Sequence, residues 1–88
     1  MSEQETLLEF PCQFPIKAMG RAEGDFEALI VTLIRKHAPD LAEGAIKVRD
    51  SQNGRFLSVT VTVTATSREQ LDNIYRELTA CEQVLMAL

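Results

Sequence analysis

Between Phe56 and Ala65 the chain alternates without a break for ten residues. Leu57, Val59, Val61, Val63 and Ala65 form one set, and Phe56, Ser58, Thr60, Thr62 and Thr64 form the other. A period of two is that of an extended strand, whose successive side chains point to opposite faces. The β-branched residues suit a pleated surface. The segment therefore predicts a strand with one face buried under a core and the other face open.

The flanking segments fit around that strand. Phe14, Ile16 and Ala18 point one way and Pro15, Lys17, Met19 and Arg21 the other, which predicts a first strand from about Gln13 to Arg21. Gly20 and Gly24 bracket a turn, and Asp25 stands where a helix N-cap belongs. Phe26, Leu29, Ile30, Leu33 and Ile34 then fall on the stripe of an amphipathic helix. Arg35, Lys36 and His37 set positive charge against the negative end of its dipole, and Pro39 stops it.

A second strand is expected over Ala45 to Asp50, with Ile46 and Val48 inward and Lys47 and Arg49 outward. Asn53-Gly54 predicts a tight hairpin in which both residues take positive φ. Ser67-Arg68-Glu69-Gln70 is a capping box opening a second helix, whose apolar stripe is Leu71, Ile74, Tyr75 and Leu78. Gln83 to Leu88 closes the chain as a short apolar strand, while residues 1–6 read as a frayed tail before a lead-in of Leu7, Leu8 and Phe10.

The order is β-α-β-β-α-β. Right-handed crossovers place both helices on one face of the sheet. The expectation is one α+β domain over residues 1–88, with 1–12 as tail and lead-in. Its architecture is a ferredoxin-like sandwich of four antiparallel strands, the first and third central, with two helices on one side.

Eighty-eight residues bury one modest core and leave little room for a deep internal site. A ligand is thus expected on a surface or between subunits. Thirteen acidic and nine basic residues give a net charge of −4, which repels nucleic acid and anionic membranes at long range. No apolar run reaches membrane-spanning length, and the acidic start does not read as a secretory leader, so a cytoplasmic protein is expected. Cys12 and Cys81 are too few for a disulfide framework and match no metal-ligand spacing. No cofactor, metal or catalytic residue is expected.

His37 is the one histidine, and no nucleophile–base pair accompanies it in sequence. Its default role is at the helix end. An enzyme of unrecognised type using Cys12 or His37 is the alternative, and a nucleic-acid module a further one. The glycines at 20, 24 and 54 match neither a phosphate loop nor a dinucleotide fingerprint.

The open sheet face is the strongest candidate for binding. It sets Phe56, Ser58, Thr60 and Thr62 beside Lys17 and Met19, framed by Lys47, Arg49, Arg21 and Arg55. A net-acidic chain has gathered positive charge on one surface, which suits an anionic ligand or an acidic partner. The plainer explanation is that threonine favours exposed strands and edge lysine discourages stray pairing. RNA-binding sheets stack bases on aromatic residues of their central strands, and here only Phe56 is available. Nucleic acid is not an expected partner. The loop Gly20-Arg21-Ala22-Glu23-Gly24-Asp25 is a second candidate, because small residues before a helix let an anion reach backbone amides.

Several short motifs together resemble a known family. Phe10-Pro11, Phe14, Lys17-Ala18-Met19-Gly20, His37-Ala38-Pro39, Ser51 with Gly54, Ser58-Val59-Thr60-Val61, Ala65-Thr66, Gln70, Ile74-Tyr75 and Val84-Leu85-Met86-Ala87-Leu88 resemble the YbeD-like family of small bacterial proteins. The resemblance spans nearly all of the chain after the tail. It implies a ferredoxin-like fold similar to regulatory ACT domains, which use the strand-to-helix junction and often hold ligand between two copies. It implies no activity and transfers no catalytic residues. Phe56 stands where relatives usually carry tyrosine, and the link Ala80-Cys81-Glu82-Gln83 departs from the pattern.

The reading that follows is a non-enzymatic regulatory or adaptor domain, binding a small molecule or a partner protein. Lys17, Met19, Ser58 and Thr60 form the expected surface, with Gly20 for close backbone approach. Pairing of edge strands two or four between copies would make a homodimer.

Overall fold

The elements follow in the order β1 (Cys12–Arg21), α1 (Phe26–Arg35), β2 (Ile46–Asp50), β3 (Phe56–Ala65), α2 (Arg68–Ala80) and β4 (Val84–Ala87). They are seen in a computed structural model that describes residues 9–51 and 53–88; the expected tail, with Leu7 and Leu8, lies outside the described residues. The strands form one sheet in the order β2-β3-β1-β4, and each neighbouring pair is antiparallel. This is the expected βαββαβ sandwich, with β1 and β3 at its centre.

β1 and β3 pair along their whole length, from Cys12 opposite Ala65 to Arg21 opposite Phe56. Residues directly opposite in such a ladder share a face. Ile16 with Val61 and Ala18 with Val59 therefore point together into the core, where Phe26, Ile30, Leu33 and Ile34 of α1 meet Leu71, Ile74 and Leu78 of α2. Ile16, Ile30, Ile34, Ile74, Val61 and Leu78 are among the fully buried side chains. Burying each one stabilises the fold by about 1.5–3 kcal/mol relative to exposure.

The helix ends differ from expectation in instructive ways. Asp25 makes no side-chain capping bond; its backbone, at φ −110° and ψ 61°, departs from the extended geometry that sets a cap over the first-turn amides. Its carbonyl instead accepts the Leu29 N–H at 3.0 Å and so begins α1. At α2, Ser67 is extended and its Oγ accepts the Gln70 N–H at 3.0 Å, as a capping box requires. The Gln70 side chain does not return the bond to Ser67. Its Oε1 accepts the Thr66 N–H at 2.7 Å, and its Nε2 donates to the His37 carbonyl at 2.8 Å, tying α2 to the segment after α1.

Lys36 and His37 are likewise turned toward the other helix. Lys36 Nζ lies 2.7 Å from Glu77 Oε1, and His37 Nε2 contacts Glu77 Oε2. The Lys36 ammonium, and after it the His37 imidazole, hold the Glu77 carboxyl below its usual range.

Three details of the sheet differ from the sequence reading. Ala45 closes a 3-10 turn, Glu43–Ala45, rather than opening β2. Val48 sits opposite Val59 and so has the expected inward direction, yet it is 42% exposed because β2 lies beyond the main footprint of the helices. The hairpin is not a two-residue turn. Ser51 closes it, donating its N–H to the Phe56 carbonyl at 3.0 Å and accepting the Phe56 N–H on Oγ at 3.1 Å. Gly54 takes φ +71°, while no described non-glycine residue, Asn53 included, has a positive φ. The serine side chain occupies the amide that a tighter turn would have used.

β4 pairs with β1 through a bulge. Met19 lies opposite Met86 but Gly20 opposite Val84, which leaves Leu85 as an extra residue. The ladder continues past β4, since Lys17 and Leu88 exchange N–H···O bonds of 3.1 and 2.8 Å.

Candidate functional site

The sheet face away from the helices is ordered by the same register. One row crosses it as Arg49, Ser58, Met19 and Met86; the next runs Lys47, Thr60, Lys17 and Leu88. Lys17, Met19, Ser58 and Thr60 thus occupy four adjoining positions on the two central strands. Strand spacing puts cross-strand neighbours about 5 Å apart. Phe56 beside Arg21 borders this patch at one end, and Thr62 beside Pro15 at the other.

Gly20 is not part of this surface. It is buried, and its missing side chain leaves space that the Phe26 ring and the Gln83 carbonyl fill. The close approach at Gly20 is therefore made by the protein itself.

Strand positions on this face carry Lys17, Arg21, Lys47 and Arg49 and no carboxylate. The chain's charge of −4 divides into +4 here and −8 elsewhere. Both ion pairs among the described residues belong to Glu77, so none of these four cations is neutralised by a neighbouring acid. Two open depressions share Lys17, Arg49 and Ser58. One, of about 190 Å³, extends to Met19, Ser51 and Phe56, with Asp50 and Leu57 at its β2–β3 side. The other, of about 400 Å³, extends to Lys47, Val48 and Thr60. Neither surrounds a ligand as an enclosed pocket of roughly 300–1,000 Å³ does. They suit groups presented from one side.

Met86 and Leu88, 51% and 62% exposed, add an apolar margin that sequence reading did not assign to this face. The alternation along Val84–Leu88 was the available signal, and the bulge at Leu85 hides it.

The strand-to-helix loop offers less. Ala22 N–H already donates to the Arg55 carbonyl and Glu23 N–H to the Arg21 carbonyl, both at 2.8 Å. The cleft beside it is lined by Arg21, Glu23, Glu82, Gln83 and Leu85, whose two carboxylates oppose an anion.

Cys12 starts β1 opposite Ala65, half-buried, and no hydrogen bond joins it to His37, whose imidazole is held by Glu77. Cys81 donates its Sγ–H to Gln83 Oε1 at 3.3 Å. Among the described residues there is no cluster of three or more histidine, cysteine or acidic side chains able to hold a metal, and no helix is long and apolar enough to cross a membrane.

This sheet, with helices on one side and an unneutralised basic surface on the other, defines a small α+β protein of the ferredoxin-like type. The chain belongs to the family described as protein of unknown function (DUF493), whose model matches residues 5–88, and this is the YbeD-like family that its motifs resemble. It is 54% identical over 86 residues to a UPF0250 protein of Chromobacterium violaceum, covering 98% of this chain and 97% of the relative. It is 42% identical over 85 residues to UPF0250 protein NE1487 of Nitrosomonas europaea, covering 97% and 98%. The solution structure of protein HP0495 from H. pylori superposes with a TM-score of 0.70 at 14% identity, covering 92% of this chain and 85% of that one. That likeness extends to the fold.

Proposed function

We propose that this chain is a non-enzymatic regulatory or adaptor domain of the bacterial cytoplasm that binds an acidic partner protein through its open sheet face. One observation carries the reading: four cations on strand positions of one sheet face, none of them ion-paired among the described residues and none of those positions a carboxylate, on a domain that is otherwise acidic. Such a separation steers a negatively charged partner to one face and turns it away from the rest.

Magnitudes decide what kind of partner fits. An exposed ion pair contributes about 0.2–1 kcal/mol. Four of them reach at most about 4 kcal/mol, which corresponds to a dissociation constant near 1 mM. Tighter binding needs apolar contact, and Met19, Phe56 and Met86 stand beside the cations to make it. Ser58 and Thr60 add hydroxyls that donate to a carboxylate. A protein surface with both carboxylates and apolar side chains uses all of these, whereas a small anion uses few. A nucleic acid would meet the acidic remainder of the domain.

The probe is a short glutamate-rich peptide titrated into labelled protein and followed by amide chemical shifts. Shifts should concentrate on Lys17, Met19, Ser58 and Thr60, and the Lys17→Glu/Lys47→Glu variant should lose them. Shifts on the helix face, or shifts indifferent to that double reversal, would sink the reading. A single-stranded RNA titrated in parallel separates the nucleic-acid alternative, since its binding would fall steeply as salt rises.

A further inference from the structure

β2 and β4 are the edges of the sheet, and each presents a row of backbone N–H and C=O groups with no strand beside it. Such a row templates pairing with another chain unless side chains prevent it. β2 is guarded by Lys47 and Arg49. β4 has neither a charge nor a proline, and Leu85 and Met86 are 57% and 51% exposed. Its free groups can be assigned. Leu88 directs its N–H and carbonyl inward to Lys17, so the alternation of an antiparallel ladder turns those of Ala87 outward.

We infer that β4 is where two copies of this chain pair, antiparallel, about a two-fold axis normal to the sheet. Such an axis sets a surface against itself, so like charges coincide wherever they lie on it. β2 would bring Lys47 and Arg49 together in this way. β4 brings only apolar side chains together.

The neighbouring helix supports a second copy over a foreign segment. Tyr75 Oη donates to the Leu88 carbonyl at 2.8 Å, which joins the outer side of α2 to the edge. The groove beside it is lined by Asp72, Tyr75, Arg76 and Thr79. Asp72 and Arg76 stand one helical turn apart with opposite charge. Two antiparallel copies of α2 related by an axis passing between these residues set Asp72 of each opposite Arg76 of the other, twice over, with Arg76 also donating to Asn73 Oδ1 of its own helix at 2.8 Å. Self-complementarity of that kind fits a copy of this chain.

The pairing has a consequence for binding. An axis normal to the sheet leaves both open faces on the same side of one eight-stranded sheet. Across the sheet the two Lys17 residues are then three strand spacings apart, about 14 Å, and any offset along the strands adds to this. A partner long enough to touch both faces gains from divalency without any new contact.

Sedimentation equilibrium of the full chain, from micromolar to millimolar concentration, tests the inference. A monomer–dimer equilibrium is expected. Leu85→Lys charges the edge, and Ala87→Pro removes the outward N–H while sparing the bonds to β1; each should weaken dimerisation at least about tenfold. Asp72→Arg should weaken it, and Asp72→Arg with Arg76→Asp should restore it. Circular dichroism confirms that the variants fold, and if Ala87→Pro does not, Leu85→Lys decides. A wild-type chain that stays monomeric at millimolar concentration overturns the inference. So does a folded Leu85→Lys variant that dimerises as tightly as the wild type, or loss of the dimer through Val48→Lys on the opposite edge.

Discussion

Phe26 closes over Gly20. A Cβ at Gly20 would stand 2.6 Å from Cζ of that ring and would also collide with the Gln83 carbonyl oxygen. The glycines with positive φ are Gly24 and Gly54, so Gly20 is required for space and not for backbone conformation. Its neighbours come from α1 and from the approach to β4. Gly20→Ala must displace one of them, and overpacking of this kind costs about 1–3 kcal/mol. The gain from a stiffer unfolded chain, about 0.4–1 kcal/mol, offsets only part of that. Urea denaturation should show a lower midpoint; an unchanged or higher one would contradict the packing of Phe26 described above.

Glu77 predicts an acid sensitivity of defined sign. Hydrogen bonds from Lys36 first, and from His37 second, lower its pKa from the ordinary 4.5. The folded chain thus binds this proton less tightly than the unfolded chain does. The resulting stabilisation is complete above pH 4.5 and is lost as the pH falls through the folded value. Glu77→Gln removes the dependence. Its stability should be lower than wild type at neutral pH, and the two acid-denaturation curves should converge on the acid side of pH 4.5. Curves that stay parallel throughout the acid limb would show that the Lys36–Glu77–His37 contact does not form in solution.

Tyr75 makes a parallel prediction at the other end of the pH scale. Its hydroxyl and the Lys17 N–H both donate to the Leu88 carbonyl, at 2.8 and 3.1 Å, and burial pushes the phenol pKa above 10. A raised folded pKa means that its stabilisation is present below pH 10 and declines as pH rises through the folded value. Tyr75→Phe should cost about 0.5–1.5 kcal/mol, the net worth of one hydrogen bond. Hydrogen exchange should quicken at the Lys17 and Leu88 amides while the Val59 and Val61 amides keep their protection. Equal loss at all four would mean that the bond supports the whole fold instead of the end of the sheet.

What could be read from sequence was whatever repeats at short range. Val59 and Val61 against Ser58 and Thr60 fix the faces of β3, and Lys17 and Met19 join them because β1 alternates as well. Contacts that depend on distant residues were not legible. His37 and Glu77 are 40 positions apart, and nothing near either residue signals the other. Asp25 has the right residue type for a cap, but its side chain is excluded by a ψ angle that sequence does not encode locally. Val48 has the parity of a core residue, and only the lateral extent of the helices shows that it is uncovered. Met86 and Leu88 were missed because a one-residue bulge breaks the period that reveals a face.

The division of β3 into two faces can be tested by exchanging near-isosteric side chains at adjacent positions. Val61 is fully buried between the helices and the sheet, and Thr62 is partly exposed opposite Pro15 on the other face. Val61→Thr sends a hydroxyl into a core with no buried polar or charged residue among the described residues, at a cost of about 1–3 kcal/mol. Thr62→Val replaces one good strand residue with another on a surface, and should change stability by no more than about 0.5 kcal/mol. For a domain of this length each kcal/mol moves the melting temperature by about 4–8 °C, so calorimetry resolves the contrast. The asymmetry matters more than either value. If Thr62→Val destabilised as much as Val61→Thr, the threonine face would have to be covered, and a basic surface built from Lys17, Lys47 and Arg49 beside it could not be open to a partner.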